Sequence, residues 1–325
     1  MSSALVGISP TPVEVPSVVH ALAQRLRAGA TVVPVWRNEY GGLTVRLEDR
    51  ERGADLALGS ALQPARRPAR LSNPRPSTAA VRRPIPSSYL KWVPRGAPCP
   101  DPLAEADRLV WAASVAAVPH ATLPRVLGAG RNAHGSWMLT AAVEVGGAVA
   151  TSAIEPQWRG RAARSARAIG AGLRRLHDAL PTAACPFVRT AESRVAALTA
   201  DAAPWAGAAP WARARTVRTA PRADLPLGAP PPVDRLVVCH GDATVPNTLF
   251  DHVGRFAAHV DVGDLGVADR WSDLAVTTRS VTRRYGPGLE PLVLAAYGVA
   301  PDPVRTSYYR ALWDAEEADR TRRAS

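Results

Sequence analysis

The chain is almost without lysine. Of its 40 basic residues only Lys91 is one, so the other 39 are arginine. Arginine serves at most solvated positions but does not replace a compact ammonium on a flexible stem, so the one retained lysine is singled out for chemistry. Cysteine is scarce as well. Cys99, Cys185 and Cys239 are widely spaced and odd in number, with no CxxC or Cys/His pattern, which excludes a disulfide framework and a thiolate metal site and fits a reducing compartment. No unbroken apolar run approaches the about 18 residues of a membrane-spanning helix. The opening MSSALVGISPTPVEVP lacks a charged stretch ahead of a sustained apolar one and is interrupted by proline, so no secretory signal is expected. These absences predict a cytoplasmic protein with no membrane partner.

What is present suits a folded chain. Its 325 residues are 46% apolar and 21% charged, enough for one large domain or two lobes. The net charge of +12 biases the protein toward anionic partners, although the preference for arginine over lysine also reads as a codon-level habit. Half of that charge comes from residues 64–87, with six arginines, six prolines and no acid. The stretch 49–87 is expected to be a disordered or loosely attached insertion. It has no aromatic side chain in its basic part to stack on bases, so no specific nucleic acid partner is expected.

Periodicity divides the chain into unlike halves. Runs at Val32–Trp36 and Leu43–Leu47 flank a turn at Gly41-Gly42 and predict a hairpin, and Ser88–Val93 is a third strand. Leu103–Ala117 has helical spacing, and Thr122–Leu127 and Ser136–Thr140 are strand-like. From Arg159 the character changes to helix, through Leu180, with arginine on the polar face. Strands follow at Arg235–Cys239, Thr248–Asp251 and Phe256–Val262, then helices at Val267–Arg284 and Pro303–Arg320. The prediction is an α+β chain with a small β-rich part over 1–145 and a larger, mainly helical part over 146–325.

The most informative segment is His240-Gly241-Asp242-Ala243-Thr244-Val245-Pro246-Asn247, with Asp261-Val262-Gly263 beginning fourteen residues after Asn247. An aspartate on a loop just after a strand can orient an attacking hydroxyl and accept its proton. An asparagine five residues on and an aspartate at the end of the next hairpin strand can converge as oxygen ligands for Mg²⁺. The spacing predicts phosphoryl transfer with Asp242 catalytic and Asn247 and Asp261 on the metal. Lys91 then acquires a role, because kinases bind nucleotide phosphates with a strand lysine held by a helix carboxylate; Glu105, fourteen residues later and early in the next helix, is that carboxylate. Gly41 and Gly42 sit where a phosphate-covering loop is expected. His240, His177 and Asp273 are read as structural.

These residues resemble the aminoglycoside 3'-phosphotransferases, antibiotic-resistance kinases with a bilobal, protein-kinase-like fold. The likeness lies in LVVCHGDATVPNTLF (236–250) and HVDVGDLGVADRWSDLAVTTRS (259–280), supported by LAEADRLVW, SWMLTAAV, LRRLHD and CPF between 103 and 187. It implies transfer of the ATP γ-phosphate to a sugar hydroxyl of an aminoglycoside, a small-molecule partner. It also implies that backbone groups of Ala141 and Val143 hold adenine and that Arg279 lies by the substrate.

Four features depart from the family. Asp264 stands where a basic residue usually follows D-x-G. Only Asp201 and Asp224 supply acid in the 195–225 region, where the family offers an acidic loop to its polycationic substrate. The acidic-aromatic end, with Asp314, Glu316 and Glu317 expected at the substrate, is followed by eight more residues. The insertion at 49–87 is extra. The acid-poor segment motivates an alternative acceptor, a less cationic hydroxylated antibiotic or metabolite. Further from the motifs lie a silent kinase fold binding anions through arginine and a metallohydrolase built on His240, Asp242, His252, His259 and Asp261.

Overall fold

Leu43, Val45 and Leu47 alternate with Thr44, Arg46 and Glu48, and the three apolar side chains are all but fully buried. That alternation organises the first half of the protein. The computed structural model describes residues 13–38, 41–49, 87–97, 99–115, 123–199 and 227–324. In chain order its N-terminal part comprises α1 (Ser17–Leu26), β1 (Thr31–Arg37), β2 (Leu43–Glu48), β3 (Ser88–Pro94), α2 (Pro102–Val115), β4 (Val126–Arg131) and β5 (Gly135–Ala141). The strands form an antiparallel sheet in the order β1-β2-β3-β5-β4. Val19, Leu22 and Ala23 of α1 pack with Leu43, Val45, Leu47, Leu90 and Trp92 on one face. Successive strand side chains point to opposite faces, so Leu90 and Trp92 belong to that core and Lys91 between them is turned to the other, where α2 lies.

A hairpin, β6 (Glu144–Val145) and β7 (Ala148–Val149), leads into the C-terminal part. There β8 (Thr151–Ser152), α3 (Pro156–Arg159), α4 (Ala162–Ala179) and α5 (Ala191–Thr199) precede β9 (Leu236–Cys239), β10 (Thr248–Phe250), β11 (Phe256–His259) and β12 (Gly266–Asp269). Helices α6 (Trp271–Tyr285), α7 (Glu290–Tyr297) and α8 (Pro303–Ala324) complete it. The main core joins Leu173 and Leu176 of α4 to Val238, Trp271, Leu274, Tyr309 and Leu312. It also takes in Leu109 of α2 and Met138 of β5 beside Val262 and Leu265. The apolar contact between the two parts therefore lies next to the motif residues. Helix α4 comes so close to α7 that a Cβ on Gly170 would lie 2.2 Å from the Val293 carbonyl oxygen, so glycine is required there.

The architecture is α+β and protein-kinase-like, with a β-rich N-terminal part and a helical C-terminal part. Three expectations need correction. The helix expected from Val267 begins at Trp271, because Gly266–Asp269 pair antiparallel with Leu236–Cys239 and the Asp269 side chain accepts the Trp271 amide at 2.9 Å. The strand expected to reach Val262 ends at His259, and the strand expected at Thr122–Leu127 begins at Val126. Helix α1 was not foreseen; its apolar residues at 18, 19, 22, 23 and 26 have helical spacing. Residues 50–86 of the 49–87 insertion and most of the acid-poor 195–225 region lie outside the described residues. No described helix is long and apolar enough to cross a membrane.

Candidate active site

Lys91 and Glu105 meet because β3 and α2 present them to one another. Lys91 Nζ donates to Glu105 Oε2 at 2.5 Å and to Asp261 Oδ1 in a second short contact. Glu105 sits on the buried side of α2, where a lone carboxylate would be costly. Its other oxygen, Oε1, accepts the Val262 amide at 3.2 Å. Burial alone would lower the Lys91 pKa, but the two carboxylates reverse this and hold it well above its ordinary value. The Lys91 charge in turn keeps Asp261 below the usual carboxylate range. Asp261 has φ of 63°, the one left-handed non-glycine residue among those described. Such a backbone costs free energy and is maintained only where surrounding contacts dictate it.

The loop after β9 is held from α6. Asp273 accepts the His240 amide at 2.6 Å and the Gly241 amide at 3.0 Å, and His177 Nε2 lies 3.0 Å from the same carboxylate. Burial would raise Asp273, yet these bonds and the imidazoles hold it down at about 2. Gly241 has φ of 88°, and a Cβ there would stand 2.2 Å from the Asp264 carbonyl oxygen, so no other residue fits. His240 donates from Nε2 to the Val260 carbonyl at 3.0 Å and accepts the Asp242 amide on Nδ1 at 3.2 Å. That assigns a neutral tautomer with both nitrogens engaged, consistent with burial lowering its pKa, and makes it a brace rather than a proton carrier.

Asp242 follows in this braced loop. Its Oδ2 accepts Asn247 Nδ2 at 3.0 Å, while Oδ1 is buried with no hydrogen-bond partner. Burial first, and the charges of Asp261 and Asp264 second, push the carboxyl up to about 8. A buried acceptor without a partner in the chain is set for a donor from outside it. Asn247 spends its NH₂ on Asp242, which turns its side-chain oxygen away from that bond, and Asp261 uses only Oδ1 on Lys91. An amide oxygen and a carboxylate oxygen not used in those bonds are hard donors of the kind Mg²⁺ takes; by their chemistry the residues fit the ion.

The other expected site residues are distributed less simply. Gly41 and Gly42 lie in a turn closed by the Gly42 amide on Asn38 Oδ1 at 2.6 Å. The Ala141 amide donates to Arg125, and the Val143 carbonyl accepts from Ala150, at 2.9 and 2.8 Å, so these two groups are engaged within the chain. Arg279 pairs with Asp314 at 2.6 Å. Glu316 is gripped by Arg194 and approached by Arg189, Asp264 pairs with Arg189 at 3.3 Å, and Glu317 is exposed. His252, in the turn after β10, is exposed, and His259 is buried, with the Gly172 backbone beside its ring but no well-formed hydrogen bond to either nitrogen. These two do not join His240, Asp242 and Asp261 in a metal cluster. Among the described residues the group close enough to hold a metal is instead His177, Cys239 and Asp273, where His177 and Asp273 already bond to one another.

The sequence matches the phosphotransferase enzyme family over residues 81–309. The chain belongs to that family. A Streptomyces fradiae protein named aminoglycoside 3'-phosphotransferase is 32% identical over 240 residues, 70% of this chain and 85% of that one. An Escherichia coli protein of the same name is 30% identical over 217 residues, 65% and 74% of the two chains. Among solved structures, the aminoglycoside-3'-phosphotransferase of type VIII superposes with a TM-score of 0.61 at 24% identity, covering 92% of this chain and 98% of that one.

In this phosphotransferase, Arg189 and Arg194, which pair with Asp264 and Glu316, are what reasoning from sequence missed. Arg189 follows a two-way backbone exchange in which the Val267 amide donates to Phe187 and the Arg189 amide to the Val267 carbonyl, at 2.8 and 3.0 Å. Arg194 is on α5, and Ser280 of α6 accepts the Val245 amide at 3.0 Å to fix the loop. The run of acids near the end of α8 was a usable signal, since buried acids require counter-charges.

Proposed function

We propose that this phosphotransferase moves the γ-phosphoryl group of ATP to a sugar hydroxyl of an aminoglycoside, of the 3' type, and so confers resistance. The reading is carried by the open Asp242 Oδ1, buried beside the Lys91, Glu105 and Asp261 triad. The names of the relatives support the acceptor class. Lys91, held by Glu105, offers its ammonium to the nucleotide phosphates. Asn247 and Asp261 would hold Mg²⁺, which supplies neutralising charge between phosphate oxygens when bound. Asp242 accepts the hydrogen bond of the sugar hydroxyl, orients it in line with the γ-phosphorus, and takes its proton as the new O–P bond forms and the bond to the ADP oxygen breaks. Positioning and fixed charge do most of the work in such a loose transition state.

A second reading keeps this chemistry and changes the acceptor to a less cationic hydroxylated compound. It is favoured by Glu316 and Asp264, whose charges are already matched by Arg194 and Arg189. The experiment is phosphate transfer from Mg-ATP to kanamycin, neomycin and neutral hydroxylated antibiotics, read by mass, with Asp242→Asn alongside. Transfer to the cationic sugars, lost in the variant while ATP binding is retained, is expected. Turnover confined to neutral acceptors selects the second reading, and an undiminished variant removes Asp242 from the mechanism.

A further inference from the structure

The solvent face of α4 is a row of guanidinium groups. Residues 159–177 contain six arginines and no acid. The buried side of the helix is Ser165, Ala166, Ile169, Gly170, Leu173 and Leu176. At 3.6 residues per turn this places Arg161, Arg164, Arg167, Arg174 and Arg175 on the opposite stripe, and all but half-buried Arg174 are exposed. Asp178 closes the row, pairing with Arg174 and Arg235. Among the described residues Arg161, Arg164, Arg167 and Arg175 form no ion pair with an acid. Exposed Arg159, from α3, and Arg283, from the last turn of α6, extend the basic surface. Arg284 lies close enough to both for their charges to add to burial in lowering its pKa.

Clustered like charges repel, so a surface of this kind is relieved by an anion from outside the chain. From Arg161 to Arg175 the row is about 21 Å long at 1.5 Å per residue, a length over which a nucleic-acid duplex presents about twelve phosphates. Guanidinium forks match phosphate oxygens two at a time. None of the exposed large apolar side chains lies on α3, α4 or α6, so the face lacks the apolar residues by which an amphipathic helix enters a bilayer. It lacks exposed aromatics too, so nothing on it stacks on unpaired bases.

We infer that the arginine face of α4 is a docking surface for the phosphate backbone of duplex nucleic acid, read without regard to sequence. It lies on a different face of α4 from the residues that pack toward the catalytic loop, so the property is separate from phosphotransfer.

The test is a salt series of fluorescence anisotropy with a short labelled DNA duplex, for the wild-type protein and for Arg164→Gln/Arg167→Gln/Arg175→Gln. With four arginines on phosphates, log affinity is expected to fall against log salt with a slope of about −3.6, and of about −0.9 in the variant. Between about 50 and 200 mM salt these slopes correspond to losses of about 150-fold and about fourfold. Circular dichroism and the phosphotransfer rate should match wild type. Absence of binding at low salt, equal binding by the variant, or a preference for anionic vesicles over the duplex would each overturn the inference. A variant that fails circular dichroism is replaced by the single substitution Arg167→Gln, expected to reduce the slope by about one.

Discussion

Arg194 holds Glu316 as a fork, Nε on Oε1 and Nη2 on Oε2, both at 2.8 Å. Arg194 also donates to Ser272 at 2.7 Å, so the pair binds α8 to α5 and α6. Its side chain is 3% exposed and that of Glu316 13%, which makes it a structural charge pair before any substrate arrives. Removing one member of such a pair leaves an uncompensated buried charge. Glu316→Gln is therefore expected to cost about 3 kcal/mol in urea unfolding, with the KM for a cationic acceptor changing less than the stability. A raised KM at unchanged stability would return Glu316 to substrate binding.

The same logic, applied to Arg189 and Asp264, gives a coupled pair beside Asp242. Arg189→Ala removes the ion pair of Asp264, leaving Arg108 as its neighbouring cation, where the Asp264 charge already pushes Asp242 upward. A lower kcat is expected, with recovery in Arg189→Ala/Asp264→Ala. A double-mutant cycle should give a coupling of about 1 kcal/mol; simple additivity would show that the two act apart.

Lys91 should not accept replacement by arginine. Two carboxylates converge on one nitrogen, and a planar fork cannot offer its donors from the same point. Lys91→Arg and Lys91→Ala are both expected to lose about 100-fold or more in kcat/KM for the nucleotide, with α2 and the sheet intact by circular dichroism. Near-wild-type activity in Lys91→Arg would contradict the arrangement.

His259 supplies a pH dependence. Burial lowers its pKa to about 3 from 6.5, so below pH 6.5 the unfolded chain binds a proton that the folded one refuses. The linkage sign is then negative toward acid: stability is intact above pH 6.5 and declines as pH falls toward 3. His259→Leu removes the buried imidazole. Relative to wild type it should gain stability progressively across that window, as read from melting temperature against pH. Parallel curves would assign the acid sensitivity elsewhere.

Legibility tracked sequence separation. Asp242, Asn247 and Asp261 were readable because a strand, a loop and a hairpin bring them together within twenty residues, and Lys91 because nothing else in the chain is lysine. Arg189 and Arg194 were not, because their contacts with Glu316 span 127 and 122 residues. The four residues of β12 looked like the start of α6 because what makes them a strand is β9, about thirty positions earlier. Glu105 shows both sides: helical spacing put it on α2, while its second bond, to the Val262 amide, was invisible until the chain was folded.

Arg27 reaches from the end of α1 to the Leu47 carbonyl and to Ser88 Oγ, each at 3.1 Å, and those two residues face one another across β2 and β3. One guanidinium thus clasps the exit and the re-entry of the long connector, like a knot tied at the neck of a bag. Whatever is put in the bag, the neck keeps its width. This seam is where the protein should accept a grafted peptide, or a tight turn in place of the whole connector, without disturbing the strand that bears Lys91.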